Sequence, residues 1–337
     1  MKLSTRLLSF AILFSALSFT GQCAAESAIA TIPSSVPEGV DVNPLTRLVY
    51  VANFFTPTIS VINERTNTIV DTITFPPDAG GNNPEFGAVA VNPVTSRLYA
   101  SDPRAGRVYV VDIRTKQILT SIPVCNAGRL TVNPRTNKIY VSEFFCNTVQ
   151  IIDGKTNTIT ATISVPLAQR AAVDIFANRV YVPSQNFNGA VFVLDGTTNA
   201  VLAQIPSGRF TTGIGVDFVR HLAYASNEGF TPDTNNLAVI DTNTNTVIAT
   251  IQTDQNPAPV VVNPFTNRIY VATAFQSQNV VDVIDGNTRQ IIDRLNIDPN
   301  PSDAAIDLIH GLLYITSPNF TAGAAGGNVT TVIDTRP

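Results

Sequence analysis

Between Arg129 and Ile163, apolar residues fall into four short runs, each cut off by residues that turn the chain. Arg129 to Asn133 is apolar-rich, and Pro134-Arg135-Thr136-Asn137 is a polar turn. Lys138 to Ser142 then alternates with the period of two expected of a strand. Thr148 to Ile152 and Thr158 to Ile163 follow, separated by Asp153-Gly154-Lys155-Thr156-Asn157. The unit reads as a four-stranded antiparallel meander, strands a to d. Asn-Pro opens the tight a–b turn, and an Asp or Asn ending strand c can fold its side chain onto the backbone two residues on.

The unit recurs. Seven times a Val or Ile is followed by Asn or Asp, with a tyrosine seven positions later: Asn43/Tyr50, Asn92/Tyr99, Asn133/Tyr140, Asp174/Tyr181, Asp217/Tyr224, Asn263/Tyr270 and Asp307/Tyr314. Successive tyrosines lie 49, 41, 41, 43, 46 and 44 residues apart, the period of a ring of repeated sheets. The predicted fold is all-β: a seven-bladed β-propeller of four-stranded antiparallel blades. The seventh unit lacks a strand d before Pro337, but Ala28-Ile29-Ala30-Thr31-Ile32 is like strand d of the fifth unit, Val247-Ile248-Ala249-Thr250-Ile251. The N-terminal strand is therefore expected to close the last blade.

Ahead of that strand, Lys2 and Arg6 precede an apolar run from Leu7 to Phe19 and small residues up to Ala25. This reads as a signal peptide over 1–25, too short to span a bilayer, with 26–337 as one propeller domain. The mature chain is expected to be secreted or periplasmic and monomeric. A lipid anchor at Cys23 fits less well, because Thr20 and Gln22 depart from the usual pattern before such a cysteine. No later segment is apolar enough for a membrane span. A formal net charge of −4 and a pI near 5.2 argue against a nucleic-acid partner, which calls for a basic stripe.

Tyr50-Val51-Ala52-Asn53, Tyr140-Val141-Ser142, Tyr181-Val182-Pro183 and Tyr270-Val271-Ala272 open the b strands, following Val-Asn-Pro-x-Thr in the units that keep the proline. The chain thus resembles the YVTN-repeat β-propellers, exported proteins that include surface-layer and YncE-like periplasmic members. Units four, five and seven lack the proline. The resemblance implies export and this fold. It says little about activity, since members and related propellers range from surface-layer parts and DNA-binding proteins to lactonases and haem enzymes.

From the end of strand c to the last Ile or Leu of strand d the distance is ten in all six complete units, whereas tyrosine to the end of strand c takes 13 to 20 residues. The a–b and c–d turns share the strict rim. The b–c and d–a loops share a variable rim, the candidate working face. Its candidate ligand-binding residues are Phe54, Phe55, Phe144, Phe145 and Phe210, joined by Phe86, Phe187, Phe230, Phe275 and Phe320 on the same loops. Arg129, Arg170 and Arg209 come from three consecutive d–a connections and could converge at the channel mouth, facing Glu38 and Glu85, to hold a carboxylate or phosphate. Cys125 and Cys146 lie on this rim in neighbouring units, and in an exported chain a disulfide between them would contribute about 3 kcal/mol.

Only two histidines occur, His221 and His310, in a–b turns two blades apart. They cannot form a dyad, so Ser–His–Asp chemistry is not expected; no Cys-x-x-Cys-His for haem exists. No catalytic residue, metal ligand or cofactor is assigned. The expected function is non-enzymatic: binding of a small ligand or a cell-envelope partner. The alternative is a metal-dependent, lactonase-like hydrolase using Glu38, Asp41, Glu85 and Asp303 at the channel mouth.

Overall fold

The computed structural model describes residues 26–229, 235–253, 256–275, 278–320 and 327–336. Its strands form seven four-stranded antiparallel sheets, blades 1 to 7, over 37–74, 88–123, 129–164, 172–206, 211–252, 257–296 and 303–334. No helix among the described residues is long and apolar enough to cross a membrane. In the third blade the strands are Arg129–Asn133, Lys138–Glu143, Thr148–Asp153 and Thr158–Ser164, within a residue or two of the periodicity reading.

Blade 7 is completed by Ser27–Pro33, which pairs antiparallel with Val329–Asp334. The match to an ordinary strand d extends to its irregularity. In blade 1 the c–d register slips between Val61 and Ile62, passing over Val70. In the closing sheet it slips between Ala28 and Ala30, passing over Ile29. Both skipped residues face outward, Val70 53% and Ile29 46% exposed. A bulge leaves one residue unpaired and sharpens the local twist.

The core is divided among the seams between blades. Each seam has its own buried apolar cluster, and each contains the repeat tyrosine of the preceding blade: Tyr50 packs with Val89 and Leu98 of blade 2, and Tyr314 with Val40, Val49 and Val51 of blade 1. All seven repeat tyrosines are at most 2% exposed. A single blade exposes apolar residues on both faces, so it gains a core only by stacking on its neighbours, which is why the tyrosine recurs with the blade period. Seam polarity repeats as well. Asn92 donates to Asn137 of the next blade at 2.8 Å, and Asn133 to Asn178 at 2.8 Å.

The strict rim follows from local turn chemistry. The residue before each strand b has positive φ, from Arg47 (57°) through Asn137 (54°) to Gly311 (67°). The Asn or Asp that opens each turn accepts backbone N–H groups two or three residues on, as Asp174 does from Phe176 and Ala177. Such side chains take the place of backbone acceptors in a tight turn.

Candidate functional site

Strands a of all seven blades line a central channel enclosing a cavity of about 590 Å³. Arg129 and Arg170 enter it. Arg129 donates through Nη2 to Glu38 Oε1 and to Ser302 Oγ, both at 3.1 Å. Arg170 bonds Asp303 through Nη1, stands 3.9 Å from Asp41, and donates to the carbonyls of Val40 and Ala304. Burial works against the Arg170 charge, but Asp303 and Asp41 outweigh it and hold the pKa above the usual arginine value. Burial raises the pKa of Asp41, opposed by Arg170 and by the N–H groups of Val91 and Val42.

The expected convergence of three arginines is therefore realised by two. Arg209 stays on the rim, its guanidinium 4.1 Å above the Phe187 ring. Glu85 does not face this group; it pairs with Arg104 at 3.0 Å. Each of the four carboxylates proposed as cation ligands faces an arginine instead: Glu38 faces Arg129, Asp41 and Asp303 face Arg170, and Glu85 faces Arg104. Further round the channel, Gln169 donates to Gln185 at 2.6 Å and Gln185 to Glu228 at 3.3 Å. Burial pushes the Glu228 carboxyl up.

Among the described residues, aromatic side chains of the variable rim meet in three groups. Phe54, Phe55 and Phe320 meet edge to face at 5.1 to 6.0 Å, joining blades 1 and 7. Phe144 and Phe145 meet at 5.1 Å, and Phe187 and Phe210 at 5.8 Å. Their outer rings lie open: Phe55 is 58% exposed, Phe145 77% and Phe187 58%. Phe86 belongs to none of them. It is fully buried against Phe75 at 4.4 Å, plugging the first seam. Phe230 lies outside the described residues.

Cys125 and Cys146 are bonded, with Cα atoms 6.4 Å apart. Buried Glu143 fixes the same loops, accepting from the backbone of Cys125 at 2.8 Å and Asn126 at 3.2 Å and from the Thr148 hydroxyl at 2.5 Å.

Two features of the strict rim escaped the sequence reading. The first is apolar: the third residue of the a–b turn is exposed and hydrophobic in six blades, at Leu45, Val94, Phe176, Val219, Phe265 and Ile309. Phe218 bridges Phe176 at 4.9 Å and Phe265 at 5.9 Å, making a strip across blades 4 to 6. The recurrence of an apolar residue at one turn position was the available signal. The second is polar. His310 meets Asp307 of its own turn at 2.8 Å and Glu64 of blade 1 at 3.7 Å. Burial pushes the Glu64 carboxyl up to about 8, reinforced by Asp307 and opposed by Arg47.

No protein-family model and no curated relative matches this chain in sequence. Among solved structures it is similar to a chain of Kuenenia stuttgartiensis hydrazine synthase, at 15% identity over 90% of this chain and 96% of that one, with a TM-score of 0.74. It is likewise similar to a chain of a mitotic checkpoint complex, at 11% identity over 99% of this chain and 100% of that one, with a TM-score of 0.76. At such identities the likeness is one of fold, and the fold is a β-propeller, an architecture that commonly serves as a binding or interaction module.

Proposed function

We propose that this protein is an exported, non-enzymatic binding module of the YVTN-repeat type that engages a cell-envelope partner through its variable rim. The observation that carries the reading is the set of outward rings, Phe55, Phe145 and Phe187, on b–c loops held by a rigid ring. Exposed aromatics grouped on such loops suit an apolar anchor in a partner surface. The channel arginines are matched internally by carboxylates, which favours contact on the rim over capture of an anion in the channel. The signal-like segment and the Cys125–Cys146 bond support an oxidising compartment outside the cytosol.

The test is co-sedimentation of purified protein with isolated cell envelopes, comparing the parent with a triple Phe55→Ser, Phe145→Ser, Phe187→Ser variant. Binding that falls at least tenfold in the variant while the thermal transition stays in place supports the rim. Equal binding, or none by the parent, overturns it. The strip Phe176–Phe218–Phe265 favours a second reading in which the strict rim is the contact face. Phe176→Ser with Phe265→Ser separates the two: loss of binding in this variant, with binding kept in the triple variant, assigns the contact to the strict rim.

A further inference from the structure

We propose that Glu64, Asp307 and His310 form a binding site for one divalent transition ion of the zinc class, set in the seam where blade 7 meets blade 1. The candidate ligand atoms of the three residues all lie within 4.8 Å of one another. His310 Nδ1 is 2.8 Å from Asp307 Oδ2 and 3.7 Å from Glu64 Oε2. Those edges bracket the separation of about 3.3 Å between neighbouring donors in a tetrahedral site with bonds of about 2.0–2.1 Å. An imidazole nitrogen with two carboxylate oxygens is a donor set suited to such an ion.

An independent observation points to a missing ligand. The side chain of Glu64 is fully buried, yet neither of its oxygens has a hydrogen-bond partner. Arg47 Nε stands 3.7 Å away, beyond hydrogen-bond distance and itself without a hydrogen-bond partner. The Asp307 side chain is also fully buried, so two enclosed carboxylates face one arginine. Enclosed carboxylates are neutralised by a proton, a paired cation or a metal, and three donors converging on one point suit the metal. Asp307 is already aimed: Oδ1 accepts the N–H groups of Ile309 at 2.7 Å and His310 at 2.9 Å, which leaves Oδ2 toward the imidazole. His310, 24% exposed, leaves one side open to water for a fourth position.

The other seams show what is special here. The position of Glu64 is Gly154, Gly196 and Gly286 in blades 3, 4 and 6, and that of His310 is Thr46, Thr95, Thr136 and Thr266 in blades 1, 2, 3 and 6. At Gly154 an added Cβ would lie 2.6 Å from Asn137 Oδ1 and 2.8 Å from the Tyr99 hydroxyl, so that seam has no room for a carboxylate. In blade 5, Arg220 occupies the His310 position and neutralises Asp217 at 3.0 Å, with Gly286 across the seam. Charge closes one to one there. Only the closing seam replaces both positions with metal donors, which makes the ion a clasp between the first and last blades.

The test uses purified protein stripped with a chelator, titrated with Zn²⁺ by calorimetry and with Co²⁺ by visible absorption. One equivalent should bind, Co²⁺ should show the intense bands of a low-coordinate site, and the thermal midpoint should rise with free Zn²⁺. Glu64→Gly and His310→Thr insert residues that other blades carry at those positions, and Glu64→Gln keeps the side-chain shape; each should weaken Zn²⁺ about 100-fold or more. His221→Asn should bind as the parent does. Absence of stoichiometric binding in the parent overturns the proposal, and so does binding retained in these Glu64 and His310 variants.

Discussion

Arg170, at the entry to blade 4, bonds Asp303 at the start of blade 7, so one guanidinium ties together elements 133 residues apart across the channel. Asp303 in turn accepts the N–H of Val40 at 3.1 Å, and Asp41 that of Val91 at 2.7 Å. One cation thus serves blades 1, 4 and 7. Arg170→Met keeps the bulk and removes the charge, leaving two carboxylates enclosed; we expect a loss of about 3–5 kcal/mol in urea denaturation. Adding Asp303→Asn should recover a large part of it, and a neutral Arg170→Met would show the network carries no stability.

Ile32 and Ile29 sit three residues apart in the closing strand with opposite fates, 4% and 46% exposed. Ile32→Ala opens a void in the seam between blades 7 and 1, for an expected loss of about 2–4 kcal/mol. Ile29→Ala, at the outward bulge, should change stability by about 0.5 kcal/mol or less. Equal effects in equilibrium unfolding would mean the strand does not dock as described.

The hydroxyl of Tyr99 is buried without a partner, whereas that of Tyr270 donates to Glu26 at 2.8 Å. Tyr99→Phe therefore removes an unsatisfied polar atom and should be neutral or stabilising. Tyr270→Phe should cost about 1–3 kcal/mol, because the bond it loses is to a charged group. Paired denaturation curves decide it.

Asp195 accepts the N–H groups of Thr197 and Thr198. The bond from Thr198 is the main cause holding its carboxyl below the usual range, against burial. A folded-state pKa below the unfolded one gives stability that is complete at neutral pH and is lost as pH falls through the folded value. Asp195→Asn, which copies Asn63 of blade 1, should flatten the acid limb of the midpoint-versus-pH curve below about pH 4. An unchanged limb would show that this turn carboxylate plays no part in it.

The blade count, the closing strand and the cysteine pair were legible because each rests on local spacing. Asn-to-Tyr intervals, a spare strand-like pentapeptide and two cysteines on adjacent loops all survive projection onto one dimension. Phe86 and Phe145 show where that projection fails, since both are loop phenylalanines, yet one is fully buried and the other 77% exposed. What separates them is the packing of a neighbouring blade. The channel pairs were hidden for the same reason: Arg170 finds Asp303 only once the ring has closed. Glu64 was hidden likewise, because its approach to His310 exists only in three dimensions.

Ser27–Pro33 leaves the ribosome before every other described strand, and its partner, Val329–Asp334, leaves after them all. Until Val329–Asp334 is in place, the outermost strand of the seventh sheet has no partner to join it to Leu312–Ser317, and the ring keeps an unsealed gap. Joining such distant segments is slow, because the entropy of drawing them together is spent before any contact returns it. A chain that has not yet gained Val329–Asp334 would therefore bear two unpaired edges, Ser27–Pro33 and Leu312–Ser317, which places the hazard of misassembly in the open ring more than in the closed one.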